Sequence, residues 1–201
     1  MEIIFLVVIL VFSASIHEYM HGWMANQLGD PTAKLAGRLT LNPIKHLDWF
    51  GSVILPFLLV ITNVGFVFGW AKPVPFNPYN LRDKKYGPAK VALAGPLGNF
   101  ILAFILALAW RFFFLESEQF DFFMASAIFI NLILMIFNLI PIPPLDGSKI
   151  LAAFLPSDLA FRYLSLERYG FLFILIFIMF GFQIILPLTY ILFNLLTFGI
   201  A

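Results

Sequence analysis

His17-Glu18-Tyr19-Met20-His21 sets two imidazoles four residues apart, with a carboxylate beside the first. On a helix, residues i and i+4 project from one face, so both rings can reach one divalent ion while the glutamate reaches a water next to it. Zinc lowers the pKa of a bound water from 15.7 to about 7, which lets a neighbouring carboxylate take its proton at neutral pH. The chemistry is that of peptide-bond hydrolysis, with one zinc ion as cofactor, His17 and His21 as ligands and Glu18 as general base.

A catalytic zinc site takes three protein ligands and keeps one position open. The chain has no cysteine, so the third ligand must be His, Asp or Glu. Disulfides, iron-sulfur clusters, thiolate zinc sites and cysteine nucleophiles are excluded. Gln27 stands where the metzincin pattern needs a histidine, which removes that class. His46, Asp146 and a few other acids remain. His46 lies in a polar loop, where a solvated or interfacial residue is expected. Asp146 stands before Gly147-Ser148-Lys149 and could instead cap a helix.

The elements that must carry these residues belong to a membrane. Of 201 residues, 62% are apolar and 11% charged, a composition that no soluble domain keeps in water. Several apolar runs approach the roughly 20 residues that cross about 30 Å of hydrocarbon. The fold class is therefore an all-α polytopic membrane protein, a bundle of about five to six transmembrane helices. Residues 1–201 read as one integral-membrane domain, with a core over 3–155 and C-terminal membrane helices over 169–201. A net charge of +1 with scattered basic residues excludes a nucleic-acid binder.

The first segment runs from about Ile3 to Gln27, ended by Gly29-Asp30-Pro31, and reads as a retained membrane helix rather than a signal peptide. Its three ionisable residues are costly at membrane depth, about 2.5–3.5 kcal/mol for a central charge, which favours a functional role. If the helix enters near Glu2, His17 lies about 22 Å along it and His21 about 28 Å, at 1.5 Å per residue. Further apolar segments span about Ala89 to Phe114, Phe123 to Ile140 and Phe171 to Leu186, with Pro187 separating off a last stretch.

Loop charges orient the bundle. Lys34, Arg38 and Lys45 follow the first segment, and Lys72, Arg82, Lys84, Lys85 and Lys90 precede the third, whereas Glu116, Glu118 and Asp121 follow it. The positive-inside rule makes the first two loops cytoplasmic and the acidic one external. Gly51 to Phe68 then has both flanks in the cytoplasm, so it is expected to dip in and return, or to return through the extended stretch Lys72-Pro73-Val74-Pro75-Phe76-Asn77-Pro78. The same topology brings Asp146 to the cytoplasmic side, at a depth similar to His21.

HEYMH near the end of a membrane helix, Gly95-Pro96-Leu97-Gly98-Asn99, and Asn138 followed by Pro141 and Leu145-Asp146-Gly147 together resemble the site-2 protease family of intramembrane zinc metalloproteases. The resemblance covers Ile3 to about Leu155. It implies zinc held by His17, His21 and Asp146, catalysis by Glu18, and cleavage of transmembrane protein or peptide substrates within the lipid bilayer. It also implies that Asn138 holds the substrate strand or polarises its carbonyl, and that Lys72 to Asn77 lies near the active site. The chain is similar to the compact prokaryotic branch, which places it in the cell membrane with its site near the cytoplasmic face. It departs from many members in having no PDZ or CBS module and in the additional segment 51–68.

Two other readings keep the same residues. A proteolytically inactive homologue would bind membrane proteins without cutting them, although such loss usually breaks ligand residues and here all stand. A zinc transporter would need His and Asp at membrane depth but no glutamate beside the first histidine. Asn99 and Asn131 could bond across helices, and Arg111 is expected to snorkel to an interface.

Overall fold

The computed structural model describes residues 2–54, 57–58, 61–62, 71–113 and 117–198, and among these the regular secondary structure is helical, save an isolated bridge between Leu47 and Ala71. The order is α1 (Glu2–Gln27), a short α2 (Thr32–Leu35), α3 (Gly87–Phe112), α4 (Glu118–Leu139), α5 (Asp146–Ala152), α6 (Ser157–Leu164), α7 (Gly170–Phe180) and α8 (Phe182–Thr197). Helices α1, α3 and α4 are long and apolar enough to cross a membrane; α7 and α8 are shorter and apolar.

Helix α3 lies between α1 and α4. Its buried residues are mostly small, Ala89, Ala92, Ala94, Gly95, Gly98, Ala103 and Ala107 among them. Lipid tails supply no hydrophobic drive for helices to associate, so close van der Waals approach over small residues holds such a bundle together. On one side, Ala103, Ala107 and Trp110 meet Ile128, Leu132 and Met135 of α4 and Phe193 of α8. The Trp110 indole donates to Asp121 at 2.8 Å and pins the ends of α3 and α4 together. Ile4, Val7, Val8 and Phe12 of α1 are exposed, as a lipid-facing surface must be in a structure without lipid. Arg111 is exposed near the end of α3, with its guanidinium 4.7 Å from the centre of the Phe198 ring.

The helix boundaries differ from expectation in two places. The last apolar run breaks at Gly181, not at Pro187, which stands inside α8. Between α4 and α7 the chain forms the short helices α5 and α6, which no long apolar run in the sequence marks. Most of segment 51–68 lies outside the described residues, and with it the re-entrant course expected there; its beginning is one wide helical turn, Trp49–Ile54.

The proline-rich stretch is extended, as its prolines dictate. Its anchors come from the loop after α1. Lys72 N donates to His46 O at 2.8 Å, Arg38 Nη2 donates to Lys72 O at 2.8 Å, and Asn77 N donates to the Asp30 carboxylate at 2.5 Å.

Candidate active site

His17 and His21 leave α1 on the face turned toward α3, one turn apart, with ring centres 4.6 Å from each other. The approach is possible because residue 95 of α3 is glycine. A Cβ there would stand 2.5 Å from His21 Nε2 and 2.7 Å from His17 Nε2, inside any tolerable contact.

Asp146 arrives from the far end of the chain. The turn Pro141-Ile142-Pro143-Pro144, with a cis Pro143–Pro144 bond, carries the chain from the end of α4 into α5. Gly147 sits against the carbonyls of Leu139 and Ile140, where a side chain would collide with backbone. That close fit sets Asp146, the first residue of α5, under the two histidines. Its Oδ2 lies 3.1 Å from His17 Nε2 and 3.1 Å from His21 Nε2. The helix-cap alternative fails, since Leu145 is the N-cap and no side-chain capping bond forms.

Both imidazoles are oriented by their other nitrogen. His21 Nδ1 lies 2.7 Å from Val91 O, and His17 Nδ1 lies 2.7 Å from Asn99 Oδ1. A main-chain carbonyl can only accept, so His21 carries a proton on Nδ1, which leaves Nε2 as the nitrogen a metal can take. Such outer contacts fix the tautomer of metal-binding histidines. Lys149 Nζ stands 3.7 Å from Asp146 Oδ1, on the oxygen that faces away from the rings.

These residues fit a zinc ion. One ligand atom from each of His17, His21 and Asp146 lies within 4.8 Å of the others. Around a tetrahedral zinc with bonds of about 2.0–2.1 Å, ligand atoms stand roughly 3.4 Å apart, close to the two 3.1 Å separations found here. Imidazole and carboxylate donors are also the set that zinc takes where no thiolate is offered.

Glu18 lines the same pocket, of about 200 Å³, with Asn138, Val74 and Lys149. Val74 N donates to Glu18 Oε2 at 2.7 Å, so the extended strand touches the expected base directly. Asn138 Nδ2 donates to Leu134 O at 2.9 Å within its own helix. His46 does not join the group. It is buried rather than solvated, at 2% exposure, with Nε2 2.7 Å from Thr40 O, and it shapes the loop that anchors Lys72.

Sequence reasoning assigned no role toward the histidines to Asn99 or to the Val91 carbonyl. The Gly95-Pro96-Leu97-Gly98-Asn99 motif marked the region, but which ring Asn99 meets depends on the register between α1 and α3.

A bundle of membrane helices that gathers two imidazoles and a carboxylate beside a second carboxylate is built as a zinc peptidase. Comparison with known proteins agrees. Residues 114–181 match the model of Peptidase family M50. YwhC of Bacillus subtilis, named as a candidate zinc metalloprotease, is 39% identical over 180 residues, 86% of this chain and 78% of that protein. Rip2 of Mycolicibacterium smegmatis is 30% identical over 169 residues, covering 83% of this chain and 63% of its own length. MJ0611 of Methanocaldococcus jannaschii is 32% identical over 137 residues, 67% of this chain and 62% of that protein. Both carry the same kind of name as YwhC, and the chain spans just under two thirds of each. No solved structure matches the chain significantly. The chain belongs to peptidase family M50, the site-2 protease family, and is a membrane-integral zinc metalloprotease.

Proposed function

We propose that this chain hydrolyses peptide bonds within or next to membrane-spanning segments of other membrane proteins, with zinc held by His17, His21 and Asp146 and with Glu18 as general base. The observation that carries the reading is the convergence of three ligand atoms within 4.8 Å in a pocket that Glu18 also lines.

When bound, zinc supplies Lewis acidity, polarising a carbonyl oxygen and acidifying water to near-neutral pKa. Glu18 takes a proton from the attacking water and returns it to the leaving amine nitrogen. Its Oε2 is held by the Val74 N–H, which leaves Oε1 for proton transfer. Asn138 keeps one amide hydrogen on Leu134 O, so its second hydrogen serves the substrate strand or its carbonyl.

A helical substrate shields its peptide bonds, with each carbonyl already accepting from the turn above. The segment therefore unwinds and lies beside the strand through Lys72 to Asn77. Lys72, Val74 and Asn77 already donate their N–H groups to His46, Glu18 and Asp30, and Pro73, Pro75 and Pro78 have none. The strand thus offers a substrate chiefly carbonyl oxygens.

Lys34, Arg38, Lys45 and Lys72 on the flanking loops support a site near the cytoplasmic side of a prokaryotic cell membrane. In this reading residues 1–201 act as one domain. Zinc content and cleavage of a model transmembrane peptide, measured in detergent, test the assignment. Wild type holds one zinc and cuts; His21→Ala and Asp146→Asn lose the metal and the activity. A fully active, zinc-replete Asp146→Asn protein would overturn the ligand set.

A further inference from the structure

Beneath the histidines runs a buried polar chain that the reaction itself does not use. Asn99 of α3 and Asn131 of α4 are 0% and 1% exposed, and Ser13 of α1 is 1% exposed, all at membrane depth. Asn99 Oδ1 meets His17 Nδ1 at 2.7 Å, while Asn99 Nδ2 donates to Ser13 O at 3.1 Å and to Asn131 Oδ1 at 2.9 Å. Asn131 Nδ2 donates in turn to Ala127 O and to Ser13 Oγ, both at 2.9 Å.

The sense of every bond follows from two groups that can only accept. Ala127 O and Ser13 O are main-chain carbonyls, so the atom facing each must be an amide nitrogen. Ala127 O therefore fixes which way the Asn131 amide points and turns its oxygen toward Asn99. Ser13 O and that oxygen then take both hydrogens of Asn99 Nδ2. The Asn99 oxygen is left facing His17, and an oxygen acceptor there requires a proton on His17 Nδ1, which leaves Nε2 as the nitrogen a metal can take.

We propose that Asn131 is a positioning residue for the metal centre: through Asn99 it sets the tautomer and ring orientation of His17, from α4, without touching the metal or the substrate. The inference rests on the reading of His17 as a zinc ligand. Four amide hydrogens and two amide oxygens are all engaged, in surroundings where an unpaired polar group is costly. A network so fully satisfied admits one arrangement. It also gives a role to two asparagines that stand buried between apolar helices.

His21 provides an internal control, because its Nδ1 is held by Val91 O and not by the asparagine chain. The test compares zinc-loaded wild type with Asn131→Leu and Asn131→Asp in detergent, by chelator competition and by solvent exchange of the Nδ1 protons in 15N-histidine spectra. Asn131→Asp keeps an acceptor oxygen toward Asn99 and, protonated at membrane depth, can donate its O–H to Ala127 O, so its zinc affinity should stay closer to wild type than that of Asn131→Leu. Asn131→Leu should weaken zinc by about 10-fold, at the low end of the range for outer partners of metal ligands, and should speed exchange at His17 while leaving His21 unchanged. Equal change at both rings, or none at either with unaltered affinity, would overturn the proposal. If Asn131→Leu does not fold, wild type still decides: a His17 Nδ1 proton exchanging as fast as that of a solvated ring contradicts it. Wild type that takes up no zinc sinks the metalloprotease reading itself, an outcome distinct from these.

Discussion

His17 Nε2 and Asp146 Oδ2 lie 3.1 Å apart although 129 positions separate the two residues in the chain. The contact ties the opening helix to the first residue of α5, and it exists only because α3 and α4 hold those two segments in register. A ligand set spread in this way makes the metal a further connection between helices, so bound zinc should stabilise the fold as well as the chemistry.

Gly95→Ala tests the cradle. The new methyl would enter the space of both rings, at 2.5 Å from His21 Nε2 and 2.7 Å from His17 Nε2. Overpacking of this kind costs about 1–3 kcal/mol. Zinc affinity should fall by about 10- to 100-fold, as for other disturbances around metal ligands. Zinc titration against a chelator reads this out, and a variant that binds like wild type would show that α3 stands further away than described.

Glu18→Gln separates binding from chemistry. The amide keeps the size of the side chain and touches neither histidine ligand, so zinc content should remain at wild-type level. Peptide cleavage should drop by about 100- to 10,000-fold, the usual contribution of a general base. Retained cleavage would require another base.

Val74→Pro removes the N–H and exchanges a buried side chain at 6% exposure, while its neighbours Pro73 and Pro75 already hold the strand extended, so Val74→Ala is needed to separate the two effects. The lost bond is the 2.7 Å contact to Glu18 Oε2. Hydrogen bonds to charged groups are worth about 1.5–3 kcal/mol, so kcat should fall about 10-fold or more while zinc content holds. Val74→Ala, which keeps the N–H, should cleave normally. Equal loss in both variants would point to the side chain instead.

Asp30 carries a pH dependence on the loop side of the molecule. Burial pushes its pKa up, but donors from Thr32, Asn80 and the Asn77 backbone outweigh that and hold it below the ordinary 3.8. A lowered folded value means that the stabilisation is complete above the ordinary carboxylate pKa and is lost as pH falls below it. The Asn77–Arg82 loop should therefore loosen below about pH 4. The protection factor of the Asn77 amide, with the intrinsic pH dependence of exchange divided out, should fall there in wild type and stay constant over that range in Asp30→Asn.

Much of the site was legible because helical spacing is a local property. His17, Glu18 and His21 could be read together from their i, i+1, i+4 pattern, and the charge of flanking loops brought Asp146 to the same side. What sequence could not supply was register. Whether Asn99 meets His17 or merely another helix depends on how far α3 slides against α1, and no spacing within either helix encodes that. His46 was misjudged because a polar loop can still fold inward when its carbonyls and imidazole close on one another, as His46 does with Thr40 and Lys72. The break at Gly181 was missed for a similar reason. Pro187 is the stronger breaker by composition, yet α8 runs through it.

The most direct measurement is the zinc X-ray absorption spectrum of the detergent-purified protein, taken for wild type and for Asp146→Asn. Two imidazole nitrogens at about 2.0–2.1 Å and a carboxylate oxygen at about 2.0–2.2 Å are expected in wild type, with most of the bound zinc lost in the variant. A third imidazole in wild type, or an Asp146→Asn spectrum that matches it at full occupancy, would contradict the account.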